Sequence, residues 1–161
     1  CISGTKTFNL AGLQASTTVF PDLEMKQAFD QFWAAMDIHR NNAFSSVAME
    51  VAFQEGEEWL EQLLVYLDGN FEFIRNYCQE HIPQIKVTRT EGTYLVWMDF
   101  RGLGIAEENL KDFVENRAGL WLDGGKMFGE SGSGFQRINV ACPRKTLEKA
   151  LTQLETAVKN L

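Results

Sequence analysis

One lysine near the start of the chain stands in a setting that could support covalent chemistry. Lys6 lies between Thr5 and Thr7 and is followed by Phe8 in the segment SGTKTFNLAGLQAS, residues 3–16. A lysine amine that is partly desolvated and deprotonated is a good nucleophile and afterwards a good base. On local sequence alone, a lysine among threonines is usually a solvated loop residue. Lys6 is therefore a candidate whose role depends on the rest of the chain.

A second candidate, Arg137, lies on a predicted strand at residues 135–142 (FQRINVAC). Because side chains alternate along a strand, Ile138 and Val140 share one face and Arg137 is presented on the other. A planar guanidinium with five donors matches a carboxylate in a bidentate manner. Without further context, a weak surface ion pair is the commoner role of such an arginine.

The glycine-rich loop at residues 123–134 (DGGKMFGESGSG) contains Gly-Lys, which invites comparison with a phosphate-binding loop. The spacing does not fit, because the required earlier glycine falls on Leu120 and Met127 replaces the metal-binding Ser or Thr. We expect either a flexible connection or a loop that closes near a substrate.

The cysteines and histidines do not suggest a metal site. The three cysteines are widely spaced and form no Cys-x-x-Cys pair, and the two histidines are far apart. We expect reduced thiols, histidines with surface or packing roles, and no metal; the residues concerned are Cys1, Cys78, Cys142, His39 and His81.

The bulk composition excludes several classes of protein. With 45% hydrophobic residues, the chain is expected to fold rather than remain disordered. The formal charge of -7, from 22 acidic and 15 basic residues, predicts no nucleic-acid partner and no anionic membrane partner. No apolar run is long enough to span a bilayer and no signal-peptide pattern opens the chain, so the sequence predicts a cytoplasmic protein.

The front part of the chain is predicted to be mostly helical. After a short β-prone stretch at residues 16–20, Pro21 is a favourable first helical position, and apolar residues from Met25 to Met36 recur at helical spacing as one buried stripe. The further predictions are a break at residues 39–42, a helix at 44–54 and a long amphipathic helix at 57–81 that Pro83 ends.

The pattern changes after Pro83 to that of a compact α+β unit. Strands are predicted at residues 85–88 and 93–100, the second apolar on both faces as in a covered central strand. A helix at 106–116, a short strand at 120–122, the strand that carries Arg137 and a closing amphipathic helix complete the order. We place a domain boundary near Glu80, which gives residues 1–80 and 81–161.

Five segments in order carry a resemblance to a known family. Beside residues 3–16 these are GEEWL (56–60), EGTYLVWMDF (91–100), KMFG (126–129) and GFQRINVACPR (134–144). Together they resemble the fold-type I pyridoxal-phosphate enzymes of the class I/II aminotransferase superfamily, in the branch of the bacterial cystathionine β-lyases, or carbon–sulfur β-lyases.

The resemblance implies an α/β fold with an α+β small domain, the C-terminal portion of an aspartate-aminotransferase-like fold. Residues 1–80 would then complete the large cofactor domain and contain the long interdomain helix, and residues 81–161 would form the small C-terminal domain. Because a lysine from the middle of such enzymes stands here at position 6, we expect this chain to be the C-terminal part of a longer protein and to be inactive alone. Its front helices would then lack partners, which favours an oligomer or a poorly ordered front segment.

The resemblance also implies roles for individual residues. Lys6 would form the imine with the aldehyde of pyridoxal phosphate and later act as the base on the substrate's Cα proton. Ser3 would bind the cofactor phosphate, the alternative being a turn or cap serine. Arg137 would pair with the α-carboxylate of the substrate. Many aminotransferases of this fold have an arginine where Gln14 stands; its absence suits the lyase branch and leaves one phosphate contact in doubt.

The implied function is β-elimination from cystathionine or another cysteine S-conjugate, which gives a thiol, pyruvate and ammonia. The full-length protein is expected to act on a small amino-acid substrate as a homodimer. Two alternatives stay open: a pyridoxal-phosphate-dependent aminotransferase, and a non-catalytic truncated module.

Overall fold

The structure, a computed structural model, describes residues 1–38 and 40–161 of the chain. The predicted break at residues 39–42 falls partly on His39, which lies outside the described residues. The chain forms two compact units, Cys1–Leu64 and Val65–Leu161.

The first unit begins with an irregular segment and continues in helices. An isolated antiparallel bridge joins Ile2 and Thr17, whose amides donate to each other's carbonyls at 2.8 Å. The predicted β-prone stretch contributes this bridge alone among the described residues. The helices that follow are α1 (Leu23–Ala35), α2 (Ser45–Glu55) and the start of α3 (Glu57–His81).

The start of α1 differs from the prediction. The N-cap is Asp22, whose carboxylate accepts a hydrogen bond from the amide of Met25 at 2.7 Å. A side-chain acceptor at this position satisfies one of the free amides of the first turn, so the helix begins at Leu23. Pro21 therefore precedes the cap and is not the first helical residue.

The apolar stripe of α1 is present, but the prediction that it is buried is wrong. The exposed fractions are 53% for Met25, 63% for Phe32 and 45% for Met36, and α1 contains no buried residue. Phe29 packs against Phe20 and Trp33, with ring centroids 5.1 and 5.5 Å apart. These local contacts leave most of the stripe uncovered within the described residues.

Helix α2 is tied to the irregular segment through a single carbonyl. The carbonyl oxygen of Leu13 accepts hydrogen bonds from the side-chain Nδ2 of Asn42 at 2.7 Å and from the hydroxyl of Ser45 at 2.8 Å. Ser45 is completely buried. Its hydroxyl thus satisfies a carbonyl inside the unit and fixes the start of α2.

The long helix α3 confirms the amphipathic prediction for residues 57–81, and it ends before Pro83. Its buried residues all follow Leu64: Leu67, Asn70, Ile74 and Cys78. These side chains belong to the core of the second unit. The division between the compact units therefore falls within α3, after Leu64. The domain boundary near Glu80 stays a prediction.

The second unit contains a four-stranded antiparallel sheet with the strand order β1-β2-β4-β3. The strands are β1 (Lys86–Val87), β2 (Leu95–Asp99), β3 (Asp123–Gly124) and β4 (Phe135–Asn139). The central position predicted for β2 is confirmed, although only one of its faces is fully covered. Val96 and Met98 are buried, whereas Leu95, Trp97 and Asp99 are half-buried.

The short strand predicted at residues 120–122 is shifted in the structure, where the pairing with β4 begins at Asp123. Leu120 instead lies among the buried apolar residues, and its amide donates to the carbonyl of Val114 at 2.9 Å. That bond belongs to the end of the preceding helix. The apolar run at residues 120–122 therefore correctly indicated that Leu120 is buried. It could not distinguish a strand from the end of a helix, because both can bury such a residue.

Two helices complete the second unit. The predicted helix at 106–116 corresponds to α4 (Glu107–Asp112) followed by a wider, π-helical turn at Phe113–Arg117. The closing helix α5 (Arg144–Lys159) buries Leu147, Leu151, Leu154 and Ala157, as its spacing predicts. Tyr77 of α3 donates to Glu155 of α5 at 2.5 Å. In the described part of the chain, no helix combines the length and apolar character that crossing a membrane requires.

Candidate active site

Lys6 lies on a compact turn of the first unit. The amide of Phe8 donates to the carbonyl of Gly4 at 2.9 Å, and the amide of Leu10 donates to that of Thr5 at 2.8 Å. Phe8 packs on Phe53 with a centroid distance of 5.6 Å. The backbone around Lys6 is thereby fixed by its own hydrogen bonds and by an aromatic anchor.

The side chain of Lys6 is exposed, and nothing in the described ranges 1–38 and 40–161 pairs with its amine. These residues therefore leave the end of the Lys6 side chain uncovered. A further surface or a bound molecule would have to cover Lys6.

Ser3 performs the structural role that was the alternative to phosphate binding. Its hydroxyl donates to the carbonyl of Ala15 at 2.8 Å and accepts from the amide of Thr5 at 3.2 Å. The hydroxyl of Thr5 lies 2.8 Å from the Ser3 oxygen. Because a serine has one proton to donate, contact with a phosphate oxygen would require the Ser3 hydroxyl to give up Ala15.

Gln14, which stands where many aminotransferases have an arginine, ends the 3-10 turn Ala11–Leu13. Its backbone is left-handed, with φ of 51°, and its amide donates to the carbonyl of Ala11 at 3.1 Å. Its side chain is exposed. Only a neutral amide is available at this position.

Arg137 belongs to the second unit and is the middle member of a row across three strands. It stands opposite Trp97 of β2 on one side and opposite Asp123 of β3 on the other. Ile138 is buried, whereas Arg137 keeps 25% of its side chain exposed. The predicted division of faces along β4 is confirmed.

Two neighbours fix the guanidinium of Arg137. Its Nη2 and Nε lie 2.7 and 3.2 Å from Oδ2 of Asp123. Its Cζ lies 4.3 Å from the centroid of Phe128, within range of a cation–π contact. Phe128 in turn packs edge-on against Trp97, with centroids 5.3 Å apart. The arginine is therefore held in one plane on an aromatic support.

The loop that carries Phe128 is closed by polar contacts. The carboxylate of Glu107 accepts from the hydroxyl of Ser133 at 2.8 Å and from the amide of Gly134 at 2.6 Å. Gly125 and Gly132 pass so closely that a Cβ on Gly125 would lie 2.2 Å from the Gly132 carbonyl oxygen. These contacts tie residues 123–134 to the rest of the second unit. That the loop closes near a substrate stays a prediction.

The sequence predicts a binding role for Arg137 but gives no sign of its neighbours Asp123 and Phe128. Asp123 was assigned to a loop, so its register with Arg137 was not visible. The aromatic support depends on how the closed loop folds back onto β4. Had the strand been predicted at residues 123–124, Asp123 would have been placed opposite Arg137. Opposite charges that face each other across two strands are a recognisable pair.

The described residues contain no group of three or more His, Cys, Asp or Glu arranged to bind a metal ion. His81 stacks on Tyr77 with a centroid distance of 4.5 Å, and its Nδ1 lies 3.8 Å from Glu155. Its contacts are those of a packing residue, as expected. The three cysteines are all free.

No family model matches the chain. Individual relatives do. The cystathionine β-lyase PatB of Bacillus subtilis is 30% identical over 158 residues, which are 98% of this chain and 41% of the relative. A pyridoxal-phosphate-bound candidate aminotransferase from Clostridium difficile 630 is 46% identical with a TM-score of 0.93, over 97% of this chain and 40% of that one.

A third relative is cystalysin from Treponema denticola, whose structure contains pyridoxal 5'-phosphate. It is 30% identical with a TM-score of 0.93, over 98% of this chain and 40% of its own. The chain thus spans about 40% of the length of these relatives. Its fold is that of the fold-type I, aminotransferase-like pyridoxal-phosphate enzymes. The chain is a homologue of cystathionine β-lyases and related pyridoxal-phosphate-dependent proteins, and it corresponds to a C-terminal portion of them.

Proposed function

We propose that this chain forms part of a pyridoxal-phosphate-dependent carbon–sulfur β-lyase that acts on cystathionine or another cysteine S-conjugate. The observation that carries the proposal is the joint presence of an unpaired lysine on a fixed turn and a supported arginine on β4. Both lie in a chain homologous to PatB and cystalysin over nearly its whole length. The net reaction removes the Cα proton and breaks the Cβ–S bond, and with water it yields a thiol, pyruvate and ammonia.

The donor set of the first unit fits the cofactor at its aldehyde end. A primary amine is the group that an aldehyde requires, and Lys6 offers one that is exposed and unpaired among residues 1–38 and 40–161. The hydroxyl of Ser3 would donate to the cofactor phosphate once it has given up its hydrogen bond to the Ala15 carbonyl. When bound, pyridoxal phosphate supplies the electron sink for the reaction at Cα.

Lys6 has two proposed tasks. It holds the cofactor through its Nζ, and during turnover the same nitrogen removes the Cα proton of the substrate as a general base. The fixed backbone of the turn limits the positions that Nζ can reach. An amine tethered in this way reacts with far less loss of orientational freedom than a free one.

Arg137 is proposed to bind the α-carboxylate. Its guanidinium is already oriented by Asp123 and by the ring of Phe128, so little side-chain freedom is lost when a carboxylate binds. A charge-assisted, two-point contact fixes the direction of the amino acid as well as its affinity. Orientation at the carboxylate fixes the direction of the Cα–H bond that is to be broken.

An aminotransferase is the second candidate, because the relative with 46% identity is described as a candidate aminotransferase. The same two residues would serve, since both reactions begin with removal of the Cα proton and with carboxylate recognition. After that step the lyase and aminotransferase reactions differ in where the proton goes and in whether the Cβ–S bond breaks. Products therefore distinguish the two reactions.

The test is a product assay on the protein expressed from its complete reading frame and loaded with pyridoxal phosphate. L-cystathionine is supplied without a keto-acid acceptor. We expect free thiol and pyruvate in equal amounts. Absence of both products, with amino transfer only when a keto acid is added, would replace the lyase by the aminotransferase.

We also propose that the complete protein is a homodimer in the cytoplasm. The exposed apolar residues of α1 are of the kind that oligomers bury, and the three free thiols suit a reducing compartment. Light scattering coupled to size exclusion measures the first property. Cell fractionation measures the second.

A further inference from the structure

Asp123 contacts only one edge of the Arg137 guanidinium. Nε and Nη2 both lie within hydrogen-bond distance of the same oxygen, Oδ2, at 3.2 and 2.7 Å. A guanidinium has five N–H donors arranged as a planar fork. The Asp123 contact therefore uses the edge formed by Nε and Nη2, and leaves the end formed by Nη1 and the second N–H of Nη2.

That remaining end has the geometry to bind a second carboxylate. Nη1 forms no hydrogen bond with any residue that the structure describes, and a quarter of the Arg137 side chain is exposed. Phe128 covers one face of the guanidinium at 4.3 Å and so restricts its tilt. Asp123 and Phe128 together define the direction in which the free donors point.

We propose that Asp123 is a positioning residue that orients Arg137 so that its Nη1–Nη2 end receives the α-carboxylate of the amino-acid substrate. This inference rests on the proposed function, because it assumes that Arg137 binds the substrate. Asp123 does not touch the substrate and acts through Arg137. The alternative is that Asp123 competes with the substrate. Asp123 would then occupy the guanidinium donors of Arg137 and lower the affinity of Arg137 for the substrate carboxylate.

A neighbouring pair serves as a control: Asp99 at the end of β2 and Arg101 at the start of the 3-10 turn that follows, residues Arg101–Leu103. Arg101 contacts Asp99 through Nε at 2.9 Å and through Nη2 at 2.7 Å, and its Cζ lies 4.8 Å from the ring centroid of Phe135. The arrangement is thus again carboxylate, arginine and phenylalanine. Loss of Asp99 removes a comparable ion pair without touching Arg137.

The test compares Asp123→Ala, Asp123→Asn and Asp99→Ala in the cofactor-loaded protein from the complete reading frame, with L-cystathionine as substrate. We expect Asp123→Ala to raise KM about tenfold with kcat changed less than about threefold, as for lost substrate binding. The amide oxygen of Asp123→Asn still accepts from Arg137, so KM should rise only about threefold. Asp99→Ala should leave KM within about twofold.

A second measurement does not depend on turnover. In ¹⁵N-arginine-labelled protein, L-alanine, which has no leaving group on Cβ, should shift the Nε–H signal of Arg137. Half-maximal shift should need about tenfold more L-alanine in Asp123→Ala. If no thiol is released by the wild-type protein, the lyase proposal fails while this titration still decides the role of Asp123.

Three results would overturn the proposal. One is a KM, or a dissociation constant for L-alanine, that in Asp123→Ala stays within about twofold of the wild-type value. A lower value in the variant would also overturn the proposal, because it would indicate that Asp123 competes with the substrate. Another is the absence of any L-alanine shift at Arg137 in the wild-type protein. The last is an equal rise in KM for Asp99→Ala, which would mean that any lost ion pair in the sheet disturbs binding.

Discussion

At the scale of single residues, Arg137 and Lys6 differ in how far this chain prepares them. Arg137 has its plane, its tilt and one donor edge fixed by Asp123 and Phe128. Lys6 has a fixed backbone but an uncovered side chain. The carboxylate half of the proposed chemistry is therefore prearranged within the described residues, and the amine half requires additional cover.

Arg137→Ala tests the carboxylate role in the complete, cofactor-loaded protein. We expect the variant to raise KM for amino-acid substrates roughly a hundredfold, because a charge-assisted two-point contact is lost, while the cofactor absorbance stays unchanged. Arg137→Lys should restore little, since an ammonium lacks the planar fork. Steady-state kinetics provide the measurement. Arg101→Ala, which removes the similarly placed arginine of the neighbouring pair, is the control, and equal effects of the two variants would argue against carboxylate recognition.

At the scale of elements, a buried amide connects α3 to the segment that follows β4. Asn70 is completely buried, and its Nδ2 donates to the carbonyls of Val140 at 2.8 Å and Cys142 at 3.1 Å. Its Oδ1 accepts from Nε of Arg144 at 2.8 Å. One side chain thus joins the helix, the end of the strand and the start of α5.

We expect Asn70→Ala to lower the free energy of unfolding by about 2–4 kcal/mol, because buried carbonyls lose their donor. Urea denaturation of the 161-residue chain measures the change. Asn76→Ala on the exposed face of α3 is the matched control and should cost no more than about 0.5 kcal/mol. Similar stabilities for the two variants would show that the network does not hold the elements together.

Cys78 of α3 provides a pH-dependent test of the same packing. Burial raises the pKa of its thiol to about 12, from an ordinary value of 9.0. The folded form therefore keeps its proton at pH values where the unfolded form loses it, and stability falls as pH rises from about 9 towards about 12. Below about pH 9 both forms are protonated and this group has no effect.

We expect iodoacetamide at pH 8 to modify the exposed Cys1 rapidly and Cys78 only after denaturation, because the thiolate is the reactive species. Mass spectrometry of tryptic peptides reads out both. Equal labelling of Cys1 and Cys78 in the native chain would mean that the α3 packing opens readily.

The elements could be predicted well where periodicity and burial agree. In α3 and α5 the apolar residues face the core of the same unit, so their spacing predicted both the helix and its buried side. In α1 the apolar residues are spaced equally regularly, yet they stay exposed. Periodicity shows that a helix has an apolar face, but it does not show whether another surface packs against that face. The start of α1 depended on a capping side chain, Asp22, which the Pro21 signal obscured.

The candidate site was predictable only in part, for a similar reason. Lys6 and Arg137 were identified by residue type and by motif, which are properties of the sequence. Asp123, Phe128 and the competing contacts of Ser3 arise from strand register, loop closure and hydrogen bonds. Strand register, loop closure and individual hydrogen bonds leave no local sequence pattern as clear as the alternation of apolar and polar residues along β4.

At the scale of the whole molecule, the two compact units differ in how they bury apolar residues. Ala15 is the one apolar residue of the first unit that is buried, judged over its described residues. The second unit has a core that includes Ile74, Val96, Met98 and Leu151. Since hydrophobic burial is the main favourable term in folding, the second unit should be the more stable by itself.

Hydrogen exchange of the 161-residue chain tests this difference. We expect the amides of β2, β4 and α5 to exchange slowest, and those of α1 at least about a hundredfold faster, since local opening is easiest where few apolar contacts are lost. Mass spectrometry after peptic digestion locates the exchange. Equal protection of α1 and α5 would show that the first unit acquires a core from another surface, such as a second copy of the chain.

The position of a reduced cofactor label tests whether Lys6 holds the cofactor. The protein from the complete reading frame is loaded with pyridoxal phosphate, reduced with borohydride, digested and sequenced by mass spectrometry. We expect one pyridoxyl group per chain, on the peptide that contains Lys6, and none in the Lys6→Ala variant. The Lys26→Ala variant should be labelled like wild type. A pyridoxyl group on any other lysine would show that Lys6 is not the residue that holds the cofactor.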